Sequence, residues 1–417
     1  MASRFQDMLA ANGQRAITSI CSAHPLVVRA AAEQAAGERG LLLIEATCNQ
    51  VNQDGGYTGM RPPDFHAFVQ DILARASFPE ERLLLGGDHL GPHPWRNLPA
   101  EAAMAKAETM IAAYAGAGFA KLHLDASMPC ADDSTILPDE TIARRAARLA
   151  KVAEESAPSP PLYIIGTEVP VPGGASQGHE LVVTTSEAAS RTLAIHKQAF
   201  TEAGLGKIWD RVVGLVVQPG VEFDNVSVIE YRPEKAQALA RWRQEKAENI
   251  VFEAHSTDFQ PDFAYRALAR DGFAILKVGP GLTFAMREAI FALADIEKEI
   301  VAPKDQQSRL VEVVRTAMLK NPAHWRDYYK GAEAESLLLD SYSDRIRYYW
   351  PDPRIEAAMG KLVANLSLTP MPDILLSRCL PAQYARVCNG EVTRDPEALI
   401  VDKIRDVLRV YSAACRA

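Results

Sequence analysis

The feature that most restricts this chain is a series of eight short apolar segments, each breaking off into polar or glycine residues. They are AITSICS at 16–22, LLLIEATCN at 41–49, LLLGGDH at 83–89, KLHLDAS at 121–127, LYIIGTE at 162–168, VVGLVVQPG at 212–220, IVFEAHS at 250–256 and AILKVGP at 274–280. Each is apolar at odd and even positions alike, the pattern of a strand covered on both faces, as parallel strands in α/β proteins are. Helical stretches separate them, among them PLVVRAAAEQAAGE, AAMAKAETMIAAYAGAG and TIARRAARLAKVAEE, each closed by polar or glycine punctuation. Eight β-then-α units within about 300 residues predict a (β/α)8 TIM barrel over 1–300 rather than an open doubly wound sheet. Beyond residue 300 the strand signal stops. RLVEVVRTAMLK, ESLLLDSYSDRIRYYW, RIEAAMGKLVANL and ALIVDKIRDVLRVYSAAC predict a helical C-terminal extension, 301–417, packed on the barrel, with its aromatic residues serving as core or as an assembly surface.

Charge narrows the range of partners. With 45 Lys+Arg against 53 Asp+Glu the formal charge is −8, which argues against nucleic acid or an anionic membrane as the main partner. No apolar stretch approaches the roughly 18 residues of a membrane span, and MASRFQDMLAANGQRAI lacks the basic-then-apolar layout of a secretory signal, so a cytoplasmic location is expected. The six cysteines form no CxxC pair, which points away from a disulfide framework and from a zinc-thiolate site.

In such a barrel the chemistry sits at the carboxyl ends of the strands. Here those ends carry Ser22 and His24, Glu45, Thr47 and Asn49, Asp88 and His89, His123 and Asp125, Glu168, Gln218, Glu253 and His255, and Lys277. Bringing so many polar groups together costs too much without a ligand, a metal or a water-filled pocket, so a functional mouth is predicted. Asp88-His89 can set an imidazole ligand beside a carboxylate acting as general acid/base; the plainer reading is an N-cap aspartate beside a satisfied histidine. Alternation in KLHLDAS puts His123 and Asp125 on one face, which either looks into the barrel or forms a buried hydrogen-bonded pair. Glu253 and His255 share a parity in the same way. His89, Glu168 and His255 with water make a donor set suited to a divalent metal, Zn²⁺ or Mn²⁺.

Lys277 is either an imine-forming lysine or, as nearby Glu253 and Glu168 favour, a protonated partner of carboxylate or phosphate. For phosphate, Ser256 and Thr257 offer hydroxyls, and Gly279, Gly281 and Thr283 offer backbone N–H groups ahead of a helix; the alternative is that Gly-Pro-Gly merely turns the chain. Asn49 and Gln218 are further substrate-binding candidates. VPVPGGASQG at 169–178 is expected to be a lid.

The blocks GGDHLGP, GFAKLHLDASMPCADD, YIIGTEVPVPGGAS, VVQPGVEFD, FEAHSTDF, AILKVGPGLTFAMREAIFALA and SDRIRYYWPDPRIE closely resemble the accessory Z subunit family of class II D-tagatose-1,6-bisphosphate aldolase, from SICSAHP to DKIRDVLRVY. The resemblance implies a subunit that supports the activity and stability of a separate catalytic aldolase subunit, without aldolase activity alone, in galactitol, tagatose or N-acetylgalactosamine breakdown. Members have carried the label tagatose-6-phosphate kinase, and some relatives are metal-dependent ketose or ketose-phosphate 4-epimerases.

Carried onto this sequence, the class II aldolase pattern implies Asp88 as proton carrier and His89 and His255 as metal ligands. No third histidine is evident at the usual place, leaving Glu168 or Asp125 as substitutes. Kinase chemistry finds no support: there is no GxxxxGK[ST] loop, GLGKIW at 204–209 fails the spacing, and GAGF at 116–119 precedes a strand. Two readings follow: an accessory partner of an aldolase, or an epimerase of tagatose 6-phosphate or a related ketose. The partners expected are a sugar phosphate, a catalytic aldolase subunit and further copies of the chain.

Overall fold

The computed structural model describes residues 5–166, 181–247, 249–331 and 333–416. All eight apolar segments are strands: β1 (Ile17–Cys21), β2 (Leu42–Thr47), β3 (Leu83–Leu90), β4 (Lys121–Leu124), β5 (Leu162–Ile165), β6 (Val212–Val216), β7 (Val251–Ala254) and β8 (Phe273–Val278). They close into one parallel barrel, β1 pairing with both β2 and β8, with helices following the strands around the outside. A two-stranded hairpin, Glu222–Phe223 with Val228–Ile229, lies between β6 and β7. The barrel is the predicted one.

Strand parity then decides what fills the interior. At the amino-terminal end the inward residues are apolar: Ile17, Leu43, Ile164, Val213, Val251 and Ile275 pack with Phe5 and Leu9 of the helix Phe5–Ala11. That helix plugs the barrel, and burying its two large side chains contributes about 1.5–3 kcal/mol each. Two residues further along the same inward parity, the interior changes character. Ser19 follows Ile17, Glu45 follows Leu43, Glu253 follows Val251 and Lys277 follows Ile275, all buried. Gly86 makes room for this layer, since a Cβ there would stand 2.4 Å from Glu45 Oε1.

The helices after residue 300 include Leu310–Lys320, Pro353–Leu368 and Pro396–Arg416. The last packs on β1 and on the helices Pro25–Ala36, Asp262–Arg270 and Pro280–Ile300. Near its end the Cys415 carbonyl accepts the backbone N–H groups of Arg15 (2.8 Å) and Ala16 (3.2 Å), tying the tail to the start of β1. One expectation fails: ESLLLDSYSDRIRYYW is not a helix but two 3₁₀ turns, Ser336–Leu338 and Arg345–Tyr348. Its polar residues bond locally instead of continuing a helix. Ser341 Oγ accepts the N–H of Ser343, and Asp344, at φ 42°, turns inward to take the Thr283 hydroxyl and the Arg287 guanidinium.

Candidate active site at the barrel mouth

The upper interior is an ion network laid over three imidazoles. Lys121 reaches from β4 to Glu45 and, at 2.7 Å, to Glu253. Lys277 reaches from β8 to Asp88, to Glu45 at 2.9 Å and to Glu253 at 3.0 Å. Burial works against both ammonium groups, but the surrounding carboxylates outweigh it and raise their pKa values. Lys277 is therefore a fixed cation, and the imine reading loses the free amine it needs. Burial also opposes ionisation of Asp88, yet His89 and Lys277 hold it well below the usual carboxylate range.

His89, His123 and His255 stand in a triangle, with ring centroids 5.2 Å, 4.9 Å and 5.4 Å apart. Each spends one nitrogen on a carboxylate: His89 Nδ1 on Asp125 (2.7 Å), His123 Nδ1 on Asp88 (2.9 Å) and His255 Nε2 on Glu253 (2.9 Å). A carboxylate behind an imidazole fixes its tautomer and turns the other nitrogen into a ligand, the usual support of metal-binding histidines. Both open points about KLHLDAS are thereby answered. His123 looks into the barrel, and its partner is Asp88 rather than Asp125, which reaches His89. His89 adopts φ 50° and Ser256 φ 53°, strained conformations for non-glycine residues at a strand end. Gly91 permits the close crossing behind them: a Cβ there would meet the Asp125 carbonyl oxygen at 1.6 Å.

The residues fit a divalent metal on two counts. His123 Nε2 is buried without a hydrogen-bond partner, and Asp88, His123, Glu253 and His255 offer ligand atoms within 4.8 Å of one another. Charge gives the second. Glu45, Asp88, Asp125 and Glu253 against Lys121 and Lys277 leave two negative charges uncompensated. The two aspartates raise the pKa of His89 against the effect of burial, while burial and Lys277 lower that of His255 to about 3. A divalent cation, with His89 neutral, would close the balance.

The remaining predicted residues divide. Asn49, Ser256 and Lys277 line, with Asp88, His89 and His255, a cavity of about 130 Å³ at the mouth. Thr257 does not: it is fully buried, its hydroxyl shared between the Lys277 carbonyl (2.6 Å) and Tyr411 (2.9 Å). Gln218 accepts the N–H groups of Gly220 (2.8 Å) and Val221 (3.0 Å) and so shapes its own loop. The N–H groups of Gly279 and Gly281, expected to hold phosphate, both donate to Asp258 Oδ1, at 3.0 and 2.7 Å. Glu168 and the 169–178 segment lie outside the described residues. Beside the mouth runs a cleft of about 820 Å³ that shares Cys21, Gln50, Tyr57, Gly279, Pro280 and Arg347 with the smaller cavity. The two together reach the size of a ligand site, which the small cavity alone does not.

Asp258 yields a pH prediction. Burial pushes its carboxyl up to about 6 despite the two amides. The fold thus favours its neutral form, a contribution present below about pH 4 and lost as pH rises through about 6. Asp258→Asn keeps the oxygen that accepts the amides, so it should gain stability over the parent near neutrality, by about 1–3 kcal/mol, and almost none near pH 3.5. Urea unfolding of both chains at the two pH values checks this; a variant weaker at both would refute it.

Fold and site together define a (β/α)8 barrel protein with a carboxylate-backed, three-imidazole centre at the carboxyl ends of its strands. Residues 4–416 match the family described as D-tagatose-1,6-bisphosphate aldolase subunit GatZ/KbaZ-like, and the chain belongs to that family. It is 52% identical over 412 residues to the D-tagatose-1,6-bisphosphate aldolase subunit GatZ of Salmonella heidelberg (strain SL476), covering 97% of each chain. To the subunit of the same name from Salmonella paratyphi B it is 53% identical over 406 residues, 96% of this chain and 95% of that one. A crystal structure described as a probable tagatose 6 phosphate kinase from Sinorhizobium meliloti 1021 superposes with a TM-score of 0.87 at 52% identity, over 96% of this chain and 100% of that one.

The third imidazole was legible as a residue but not as a ligand. KLHLDAS presents His123 and Asp125 as a pair, and only closure of the barrel reveals that β3 supplies the partner of each. Lys121 carried a usable signal: it shares the parity of His123, so it had to enter the barrel with it. Among the described residues no helix is long and apolar enough to cross a membrane.

Proposed function

We propose that the chain acts as a subunit of a D-tagatose-1,6-bisphosphate aldolase, steadying a catalytic class II aldolase subunit in tagatose, galactitol or N-acetylgalactosamine breakdown. What carries this reading is the full-length match to relatives named as that subunit. The barrel, 1–300, is read with 301–417 as one folding unit, and a cytoplasmic location and self-association as secondary expectations.

One observation favours a second reading, epimerisation of a ketose phosphate at C4: the mouth keeps a complete set of reactive groups. His89, His123 and His255 would hold a divalent metal, Zn²⁺ or Mn²⁺, which when bound supplies Lewis-acid polarisation of a ketose carbonyl. Asp88, ionised in the resting site, takes the C4 hydroxyl proton as the C3–C4 bond breaks and its electron pair passes to the ketone half. It returns the proton after the aldehyde half has turned and the bond has re-formed. Asp125 holds His89, and Lys277 keeps Asp88 charged. The kinase name borne by the solved relative has no counterpart in these groups, for the sequence holds no GxxxxGK[ST] loop to cradle a nucleoside triphosphate.

The two readings part in one experiment. The purified chain is incubated alone with tagatose 6-phosphate and with the bisphosphate, with Zn²⁺ or Mn²⁺ and then with EDTA. Fructose 6-phosphate that disappears on chelation supports epimerisation. No turnover, together with activation of an added catalytic aldolase subunit, supports the accessory role. Failure of both refutes both.

The metal site has its own prediction. His123→Ala removes an imidazole whose Nε2 is buried without a hydrogen-bond partner, and the chain should lose at least 10-fold in Zn²⁺ affinity, measured by competition with a chromogenic chelator. Unchanged affinity would exclude His123 as a ligand.

A further inference from the structure

The geometry points to an anion subsite that the resemblance did not supply: we propose that Arg347, from the C-terminal extension, receives the phosphate of a ketose phosphate whose carbonyl end lies over His89 and His255. The inference rests on reading the mouth as a ketose site.

The cations lining the joined cavities are Arg29, Arg75, Lys277 and Arg347. Three are spent: Arg29 on Glu33 and Glu397, Arg75 on Asp71, and Lys277 on its three carboxylates. Arg347 differs. Among the described residues it makes no ion pair; it donates to the carbonyls of Ser343 and Asp344 (3.2 Å) and to the Tyr348 hydroxyl (3.1 Å), with its guanidinium carbon 4.5 Å from the centre of the Tyr348 ring. Those bonds call on three N–H groups of a guanidinium that has five. The carboxyls that feel its charge are Asp344 and Asp258. Both are committed, Asp344 to Arg287 and Thr283 and Asp258 to the amides of Gly279 and Gly281.

A half-buried guanidinium, fixed by a ring and two carbonyls and lacking a carboxylate, is a prepared position for an anion. Its place gives the anion a role. Without a metal the imidazole cluster carries excess negative charge, which repels a phosphate and favours a position for it at a distance. Arg347 stands on the wall common to both cavities, where the far end of an open ketose would emerge.

The test is equilibrium binding by the EDTA-treated full-length chain, read by calorimetry with inorganic phosphate, tagatose and tagatose 6-phosphate. The parent should bind phosphate and prefer the sugar phosphate to tagatose by about 10- to 100-fold. Arg347→Met should abolish that preference and leave tagatose binding unchanged, and Arg347→Lys should restore part of it. Preference retained in Arg347→Met overturns the proposal. If Arg347→Met does not fold, crystals of the parent grown with inorganic phosphate decide: phosphate hydrogen-bonded to Arg347 supports the subsite, and phosphate bound elsewhere or absent overturns it. Because no turnover is needed, a catalytically inert subunit can pass. Phosphate bound at Arg347 with no tagatose binding supports the anion site and sinks the ketose reading alone.

Discussion

Lys277→Met is expected to cost about 3–5 kcal/mol of stability near pH 7.5, because it strips the shared cation from Asp88, Glu45 and Glu253, leaving Asp88 without its lysine and Glu45 and Glu253 with Lys121 alone. The pH response should shift as well. In the parent, burial raises the Asp88 and Glu253 pKa values but the neighbouring cations outweigh it, so both lie below normal and their stabilisation is lost only in acid, as pH falls below about 4. In the variant His89 and Lys121 still lower those pKa values but Lys277 no longer does, so they rise and the two carboxylates lose their stabilisation at a higher pH than in the parent. Thermal denaturation at pH 7.5 and at about pH 4 should therefore show a large deficit at the higher pH that narrows in acid. Equal melting temperatures at pH 7.5 would mean that Lys277 is not the ion that balances this layer.

Deletion of residues 396–417 should abolish the fold altogether. The helix Pro396–Arg416 buries Leu399, Ile400, Val401, Ile404, Leu408 and Tyr411 against β1 and three barrel helices. At about 1.5–3 kcal/mol for each large apolar side chain, the loss matches or exceeds the roughly 5–15 kcal/mol that holds an ordinary domain together. The expected outcome is an insoluble or unfolded chain by circular dichroism. Leu408→Ala gives the graded version, a loss of about 2–5 kcal/mol in urea unfolding. A truncated chain that melts cooperatively would show that the helix Pro396–Arg416 is a dispensable appendage.

The barrel was readable because parallel strands buried on both faces leave dense apolar runs, and the turns that end them are polar. The mouth was readable through the same ends, and Asp88, His89, His255 and Lys277 do meet. What escaped was whatever depends on the closing of the barrel. Gly279 and Gly281 resemble phosphate donors in sequence, but Asp258, twenty-odd residues upstream, takes their N–H groups first. Thr257 looked like a loop hydroxyl until Tyr411, from the far end of the chain, claimed it. Arg347 sat in a stretch that reads as an amphipathic helix, so its parity pointed nowhere in particular. Only the inward turn at Asp344 brings it to the mouth.

The helix Phe5–Ala11 sets a rule of traffic for this molecule. With the floor of the barrel stoppered, the imidazoles have, among the described residues, a doorway at the opposite rim, and anything that settles deepest must wait for whatever stands above it to depart.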